Sequence, residues 1–424
     1  MNFLEELQWR GMLHQMTPGI EAELAKGKAV GYIGFDPTAP SMTIGNYVQL
    51  MLLKIFQLSG HQPIILMGGG TGRIGDPSGK DKERQLKSYE ELDYNLQFQA
   101  EQARKFLDFD CEGNPALMVN NLDFYKEMNV LHFLRDVGKT LTVNYMASKE
   151  SVKKRIETGI SFTEFSYQLL QAYDYQCLYQ QHGCRIQMGG SDQWGNITSG
   201  TEFIRKNLGG HAYAVTTPLL TKSDGKKFGK SEEGNIWLDS NMTSPYKFYQ
   251  FWINADDADI PAFTRYFTLR SKEEVLAMEK KYAEDPQTRK RLLAEELTRR
   301  VHSDADYETA MRVSELIFNR RASEETLHAL DEQALSMVAD EIPSFEITRD
   351  QIANGLNIVD FLAEATQIVA SKGDARRAIK GNAISINKVK ISQHDATLGA
   401  EALLHGKYIM VENGKKNKFM VVAD

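Results

Sequence analysis

Along the first half of the chain, short runs of β-branched, aliphatic and aromatic residues alternate with stretches of helical spacing. Candidate strands run from Ala29 to Phe35, Pro63 to Met67, Ala116 to Val119, Arg185 to Met188 and Tyr213 to Leu220. That alternation predicts βαβ units and a parallel sheet. Asn46 to Leu58, between the first two strands, is apolar on nearly every side and closed by Gly60, so it reads as a buried crossover helix. The predicted class is α/β, a doubly wound, Rossmann-like parallel sheet over residues 1–222. Asp36 and Thr38, the glycines from Gly68, Asn121, and Gly189 to Gln193 all follow a strand's carboxyl end, where open α/β sheets bind ligands.

After Lys222 the texture changes. A polar, Gly-bearing loop and link occupy 223–243, helical patterns predict a separate domain over 244–325, 326–350 reads as a linker, and 351–424 as a small basic α+β domain. A chain of 424 residues exceeds what one core serves, in keeping with several domains. No run approaches the roughly 18 apolar residues of a membrane span. Met1 to Met16 has an amphipathic pattern without a basic leader, so no export signal is read. Cys111, Cys177 and Cys184 give neither a disulfide framework nor a zinc knuckle, and a cytoplasmic protein is expected. The net charge of -7 argues against a surface that coats nucleic acid throughout. From Ser371 onward, however, ten Lys/Arg stand against five Asp/Glu, a local +5 that leaves -12 elsewhere and marks a basic tail domain.

Three segments carry candidate chemistry, each with a plainer reading. Gly68-Gly-Gly-Thr-Gly-Arg-Ile-Gly-Asp-Pro-Ser-Gly-Lys80 contains G-x-G-x-x-G after a strand, which suggests a dinucleotide site. Asp76-Pro77 then interrupts where the fingerprint needs a helix, and the spacing to Gly79-Lys80 is wrong for a P-loop. A structural glycine turn is the plain alternative. Lys226-Lys-Phe-Gly-Lys-Ser231 places Lys227 and Lys230 on a loop that could clamp a polyphosphate, or be only a solvated basic loop. Asp36-Pro-Thr-Ala-Pro-Ser-Met-Thr-Ile-Gly-Asn46 leads into the buried helix, where amides and the helix dipole attract phosphate, although Thr43 could equally be a simple N-cap.

In this order on a doubly wound sheet, the segments resemble the class I aminoacyl-tRNA synthetases, whose HIGH-like and KMSKS-like signatures correspond to Thr43-Ile-Gly-Asn46 and Lys227-Phe-Gly-Lys-Ser231. The tyrosine-specific branch of bacterial type is a closer match. Gly34-Phe-Asp-Pro-Thr38, Ile74-Gly-Asp-Pro-Ser-Gly-Lys80, Ser161-Phe-Thr-Glu-Phe-Ser-Tyr167, Gly189-Gly-Ser-Asp-Gln-Trp-Gly-Asn-Ile-Thr198 and Thr243-Ser-Pro-Tyr-Lys-Phe-Tyr-Gln-Phe-Trp252 look like its signatures, and the resemblance spans essentially the whole chain. One departure is Thr43, which stands where the family's first signature His would be; another is Asn46, where many relatives carry His.

The resemblance implies a ligase that joins L-tyrosine to tRNA(Tyr) through tyrosyl-adenylate, with ATP as substrate, Mg2+ travelling with it, and no tightly bound organic cofactor or zinc. By resemblance, Lys80, Arg84, Lys227 and Lys230 hold the pyrophosphate moiety, Thr38 and Ser231 donate hydroxyls, and Thr43, at the catalytic signature position, lacks the imidazole's charge and reach and keeps one of its hydrogen bonds or none. Tyr32 and Asp174 would bind the substrate's phenol, and Asp76, Tyr167 and Gln171 its ammonium group. Independently, Tyr167, Gln171 and Asp174 recur at i, i+4 and i+7, one polar helix stripe free of Lys, Arg and Glu, which suggests a pocket wall instead of a solvent face. Gly34, Asp36, Gly45, Asn46, Asn121, Gly190, Asp192 and Gln193 match nucleotide and adenylate positions. Ala370 to Asn387 resembles an S4-type RNA-binding module in which Arg376, Arg377 and Lys380 would meet phosphates, and Lys149, Lys153, Lys154, Arg155, Arg205 and Lys206 form a second basic set suited to the acceptor stem. The resemblance also implies a homodimer. A rival reading, prompted by Thr43, is an RNA-binding paralogue that kept the fold and lost activation.

Overall fold

The computed structural model describes residues 1–78, 85–231, 234–319, 322–414 and 417–424, and only the main chain at Ser151, Lys154, Thr158, Lys230 and Ser231. Two units are distinguished: Met1–Thr243 with Ile253–Leu293, and Ser244–Trp252 with Ala294–Asp424.

In the first unit the β-rich runs become β1 (Gln15–Met16), β2 (Val30–Phe35), β3 (Gln62–Met67), β4 (Leu117–Asn120), β5 (Ile186–Gly190) and β6 (Tyr213–Thr217). They form one sheet in the order β1-β6-β5-β2-β3-β4, parallel except for β1 on β6. The chain winds from β2 toward β4, then returns to place β5 on the other side of β2, so the switch point lies between the carboxyl ends of β2 and β5. The run predicted to reach Leu220 stops at Thr217, because Pro218 has no N–H to continue the ladder.

The helices used below are α1 (Phe3–Arg10), α2 (Ile44–Leu58), α3 (Tyr89–Arg104), α4 (Phe162–His182), α5 (Trp194–Leu208) and α6 (Ile260–Phe267). Crossover helix α2 buries Tyr47, Leu50, Met51, Leu53 and Phe56, in line with its apolar sequence. It starts two residues earlier than periodicity suggested because Thr43 caps it: Asn46 N–H donates to Thr43 Oγ1, and Thr43 N–H to Asn46 Oδ1 (2.9 Å). Under the far side of β2 and β3 lie Tyr32, Ile64, Leu66, Tyr175, Leu178 and Ile204, which lock α4 and α5 to the sheet.

In the second unit the strands run Val389–Lys390, Ile384–Ile386, Tyr408–Asn413, Asn417–Ala423 and Ser344–Ile347 in sheet order. Asn387 and Lys388, both at positive φ, turn the first hairpin, and Asn382 also takes positive φ after the basic helix Lys372–Lys380. Residues 326–350, expected as a linker, are folded. Asp331 caps the helix Glu332–Glu341 through Ala334 N–H (2.8 Å), and Ser344–Ile347 pairs in parallel with Asn417–Ala423. A four-residue strand whose partner lies so far along the chain leaves little local signal.

Candidate active site

A cavity of about 720 Å³ opens at the carboxyl ends of β2 and β5. It brings together Tyr32, Gly34, Asp36 and Thr38 from β2 and its exit, Thr43, Gly45 and Asn46 from the start of α2, Asp76, Asn121, the α4 stripe Tyr167, Gln171 and Asp174, then Gly190 at the end of β5 with Asp192 and Gln193 just after it, and Lys227. Lys80 and Arg84 lie outside the described residues, and the side chains of Lys230 and Ser231 are likewise not described.

One wall is a buried polar network. Asp174, 1% exposed, accepts from Tyr125 Oη on Oδ1 (2.6 Å) and from Asn121 Nδ2 on Oδ2 (2.8 Å). Burial pushes its carboxyl up to about 7, with Asp36 adding to the rise and the Tyr125 and Asn121 hydrogen bonds opposing it. Beside it the Tyr32 hydroxyl is buried with no hydrogen-bond partner, an uncommon state that a ligand would relieve. Asn121 is turned into the wall: it accepts from Gly70 N–H (2.7 Å) and donates to Thr71 Oγ1 (2.9 Å) as well as to Asp174. Asp36 is held similarly, taking Thr71 Oγ1 on one oxygen (2.7 Å) and Tyr167 Oη on the other (2.8 Å). With its proton given to Asp36, the Tyr167 oxygen is left as an acceptor. Asp76, 8% exposed, accepts from Gln193 Nε2 (2.6 Å) and Ser78 N–H (2.8 Å). Asp76, Tyr167 and Gln171 can therefore offer oxygens to a cation.

Toward the opening the lining changes. Gly34 is exposed between buried neighbours, and a Cβ there would have nothing nearer than Leu66 O at 4.0 Å, so its missing side chain leaves open space for a ligand. Asp192 has its carboxyl pushed up by burial and by Asp76, against which Lys227 acts. Thr43 and Asn46 are occupied with each other, Thr43 Oγ1 donating to Asn46 Oδ1 (2.8 Å). The lysine loop is pinned by Phe228, 5% exposed, whose ring meets Phe263 at 5.0 Å and Phe267 at 5.4 Å on α6. Next to it Gly229 has φ 84, and a Cβ would come within 2.8 Å of Ile44 Cγ2.

The second basic set is only partly available. Arg155 is 6% exposed and bound to Glu164 (2.7 Å), so burial removes it from the expected RNA surface. Lys149 and Lys206 flank the Tyr145 ring at 4.2 and 6.0 Å, and Arg205 pairs with Glu202 at 2.8 Å. In the second unit, Arg376, Arg377 and Lys380 are all exposed on their helix, with Arg377 paired to Asp374. Sequence reasoning did not single out Thr71 and Tyr125, which hydrogen-bond Asp36 and Asp174, or Gln187, buried on β5 beside Tyr32. Among the described residues no group of three or more His, Cys, Asp or Glu could hold a metal ion.

The sheet, its switch-point cavity and the lysine loop define a nucleotide-using α/β protein, and the chain belongs to the class I tRNA synthetases (W and Y), whose family model matches residues 25–319. A model of the tyrosine–tRNA ligase C-terminal domain matches residues 334–421. The tyrosine–tRNA ligase of Cytophaga hutchinsonii is 52% identical over 99% of both chains, and that of Porphyromonas gingivalis 49% identical over the whole of both. Among solved structures, a C-terminally truncated mitochondrial tyrosyl-tRNA synthetase of Aspergillus nidulans is similar with TM-score 0.67 and 28% identity, over 74% of this chain and 94% of that one.

Proposed function

We propose that the chain activates L-tyrosine with ATP and transfers it to tRNA(Tyr). The observation that carries this reading is the floor of the cavity, where a buried carboxylate, Asp174, and an unpartnered phenol, Tyr32, stand together. A substrate phenol would donate to Asp174 and accept from Tyr32, and its ammonium group would reach Asp76, Tyr167 and Gln171. Phenylalanine would leave both buried groups unpaired. The tyrosine-specific enzymes are themselves the reference case for such selection, on the order of 10⁵ without editing.

In the first step the tyrosine carboxylate attacks the α-phosphorus of ATP and pyrophosphate leaves. A carboxylate is already a nucleophile, so the site need only align the reactants and stabilise phosphate charge. Gly34 and Gly190 give the nucleotide room, Asp192 faces its ribose, and Thr38, the amides at the start of α2 and Lys227 face its phosphates; Lys80, Arg84, Lys230 and Ser231 are assigned to those phosphates by the family resemblance alone. Magnesium enters with ATP as part of the substrate. Thr43 contributes as the cap that sets the helix end, and Asn121 and Asp36 orient Asp174 and Tyr167. In the second step a hydroxyl of the terminal adenosine attacks the tyrosyl carbonyl and AMP departs.

Arg376, Arg377 and Lys380, with Lys149, Arg205 and Lys206, are assigned to tRNA phosphates. Exposed Val130, Leu131, Val143 and Phe162 suit the homodimer expected of the family. Among the described residues no helix is long and apolar enough to cross a membrane, and we assign the chain to the cytoplasm, where its substrates are. Charging of tRNA(Tyr) with labelled tyrosine tests the whole reading: an ATP-dependent, base-labile ester is expected, and tRNA binding without any ester would point to the inactive RNA-binding paralogue.

A further inference from the structure

Helix α3 buries three amides beside its apolar Leu92 and Ala103. Tyr94 and Phe98 are exposed on its outer side, while Asn95, Gln99 and Gln102 turn inward and are at most 9% exposed. At i, i+4 and i+7 these amides form one stripe. Each ends on the segment that joins β2 to α2. Asn95 Nδ2 donates to Pro37 O (3.1 Å), Gln99 Nε2 to Ala39 O (2.8 Å), and Gln102 accepts Met42 N–H (2.8 Å) while donating to Ser41 Oγ (3.0 Å). The segment needs such partners, because Pro37 and Pro40 supply no N–H. An apolar stripe would leave two carbonyls and an N–H unpaired against it. A charged stripe would add a fixed charge beside a site that must hold a polyphosphate. Neutral amides avoid both.

The same segment is paired on another side to the residues that follow the lysine loop. Ile44 N–H donates to Ile236 O (2.9 Å), Leu238 N–H to Met42 O (2.9 Å), and Asp239 N–H to Ser41 Oγ (3.1 Å). Gln102, Ser41 and Asp239 thus form a continuous path from α3, through the segment bearing Thr38, to the chain that carries Lys227. We infer that the α3 amide stripe is a positioning device for the activation step, holding Thr38 and the lysine loop in register so that both meet the phosphates together. The inference rests on the reading of the cavity as an ATP-dependent activating site. Asn95, Gln99 and Gln102 do not line that cavity among its described residues, so they act through the segment they hold.

Gln99→Met and Gln102→Met keep side-chain length and remove the amide. In the full chain, tyrosine binding is measured by calorimetry, tyrosine-dependent pyrophosphate exchange across a range of ATP, and amide hydrogen exchange over 38–43 and 236–239. The expected result is tyrosine affinity within about twofold of the unsubstituted chain, exchange kcat lower by about tenfold or more with a raised KM for ATP, and faster hydrogen exchange in both segments at once for Gln102→Met. Exchange kinetics within about twofold of the unsubstituted chain would overturn the inference, and so would tyrosine affinity falling in step with rate, which general loosening of the fold produces. If the unsubstituted chain bound tyrosine without any exchange, the activation reading itself would fail. Hydrogen exchange would then still decide whether α3 holds the two segments together.

Discussion

Asp174 concentrates the chemistry of selection. Its carboxyl is raised from 3.8 to about 7 chiefly by burial, so near neutral pH both of its states are populated in the free protein. A phenol donor favours the ionised state, and tyrosine affinity should therefore strengthen as pH rises through about 7, as a calorimetric pH series would reveal. The sign reverses for the free protein. A carboxyl raised on folding contributes stability that is full below 3.8 and is lost as pH rises through about 7, so stabilisation by tyrosine should grow over that window. Asp174→Asn should flatten the binding profile and lower kcat/KM for tyrosine by roughly 10- to 100-fold. Tyr125→Phe removes a donor that favours the carboxylate, so the midpoint of the profile should move to higher pH while the fold is kept; an unmoved midpoint would exclude Tyr125 from control of Asp174. The stripe Tyr167, Gln171 and Asp174 was legible because helical spacing alone puts those residues on one face. Tyr125 and Thr71 were not, since each reaches its carboxylate across tens of residues and only the folded chain reveals the contact.

Among the elements, the strands that carry the cavity could be read directly, because a parallel sheet buried on both faces writes itself as short continuous apolar runs. Helix α3 could not be read that way. Leu92 and Ala103 face inward as apolar residues should, but the amide stripe buried beside them has no apolar signal, and its reason is the proline-bearing segment that needs hydrogen-bond partners. The basic set around α4 was misjudged at Arg155 for a related reason: charge in sequence does not disclose a buried partner such as Glu164. The lysine loop depends on α6, where Phe228 stacks on Phe267, which in turn stacks on Tyr47 of α2 at 5.5 Å. Phe228→Ala should cost about 3 to 5 kcal/mol in denaturant unfolding if the cavity stays open. It should also lower the activation rate more than tyrosine affinity, because the phenol-binding floor lies on other elements.

At the scale of the molecule, a net charge of -7 coexists with a basic terminal domain, so RNA affinity should be local and separable from activation. Replacing Arg376, Arg377 and Lys380 together by Ala should leave tyrosine activation unchanged, weaken tRNA binding, and reduce the salt dependence of that binding by about two to three phosphate contacts. A filter-binding series at several salt concentrations measures this. The measurement that bears most directly on the central claim is tyrosine-dependent exchange of labelled pyrophosphate into ATP by the full chain, with phenylalanine as control. Exchange with tyrosine and essentially none with phenylalanine is the predicted result, and it would also mean that Thr43 serves where the family's signature has His. A folded, tRNA-binding chain that gave no exchange with tyrosine would contradict the account.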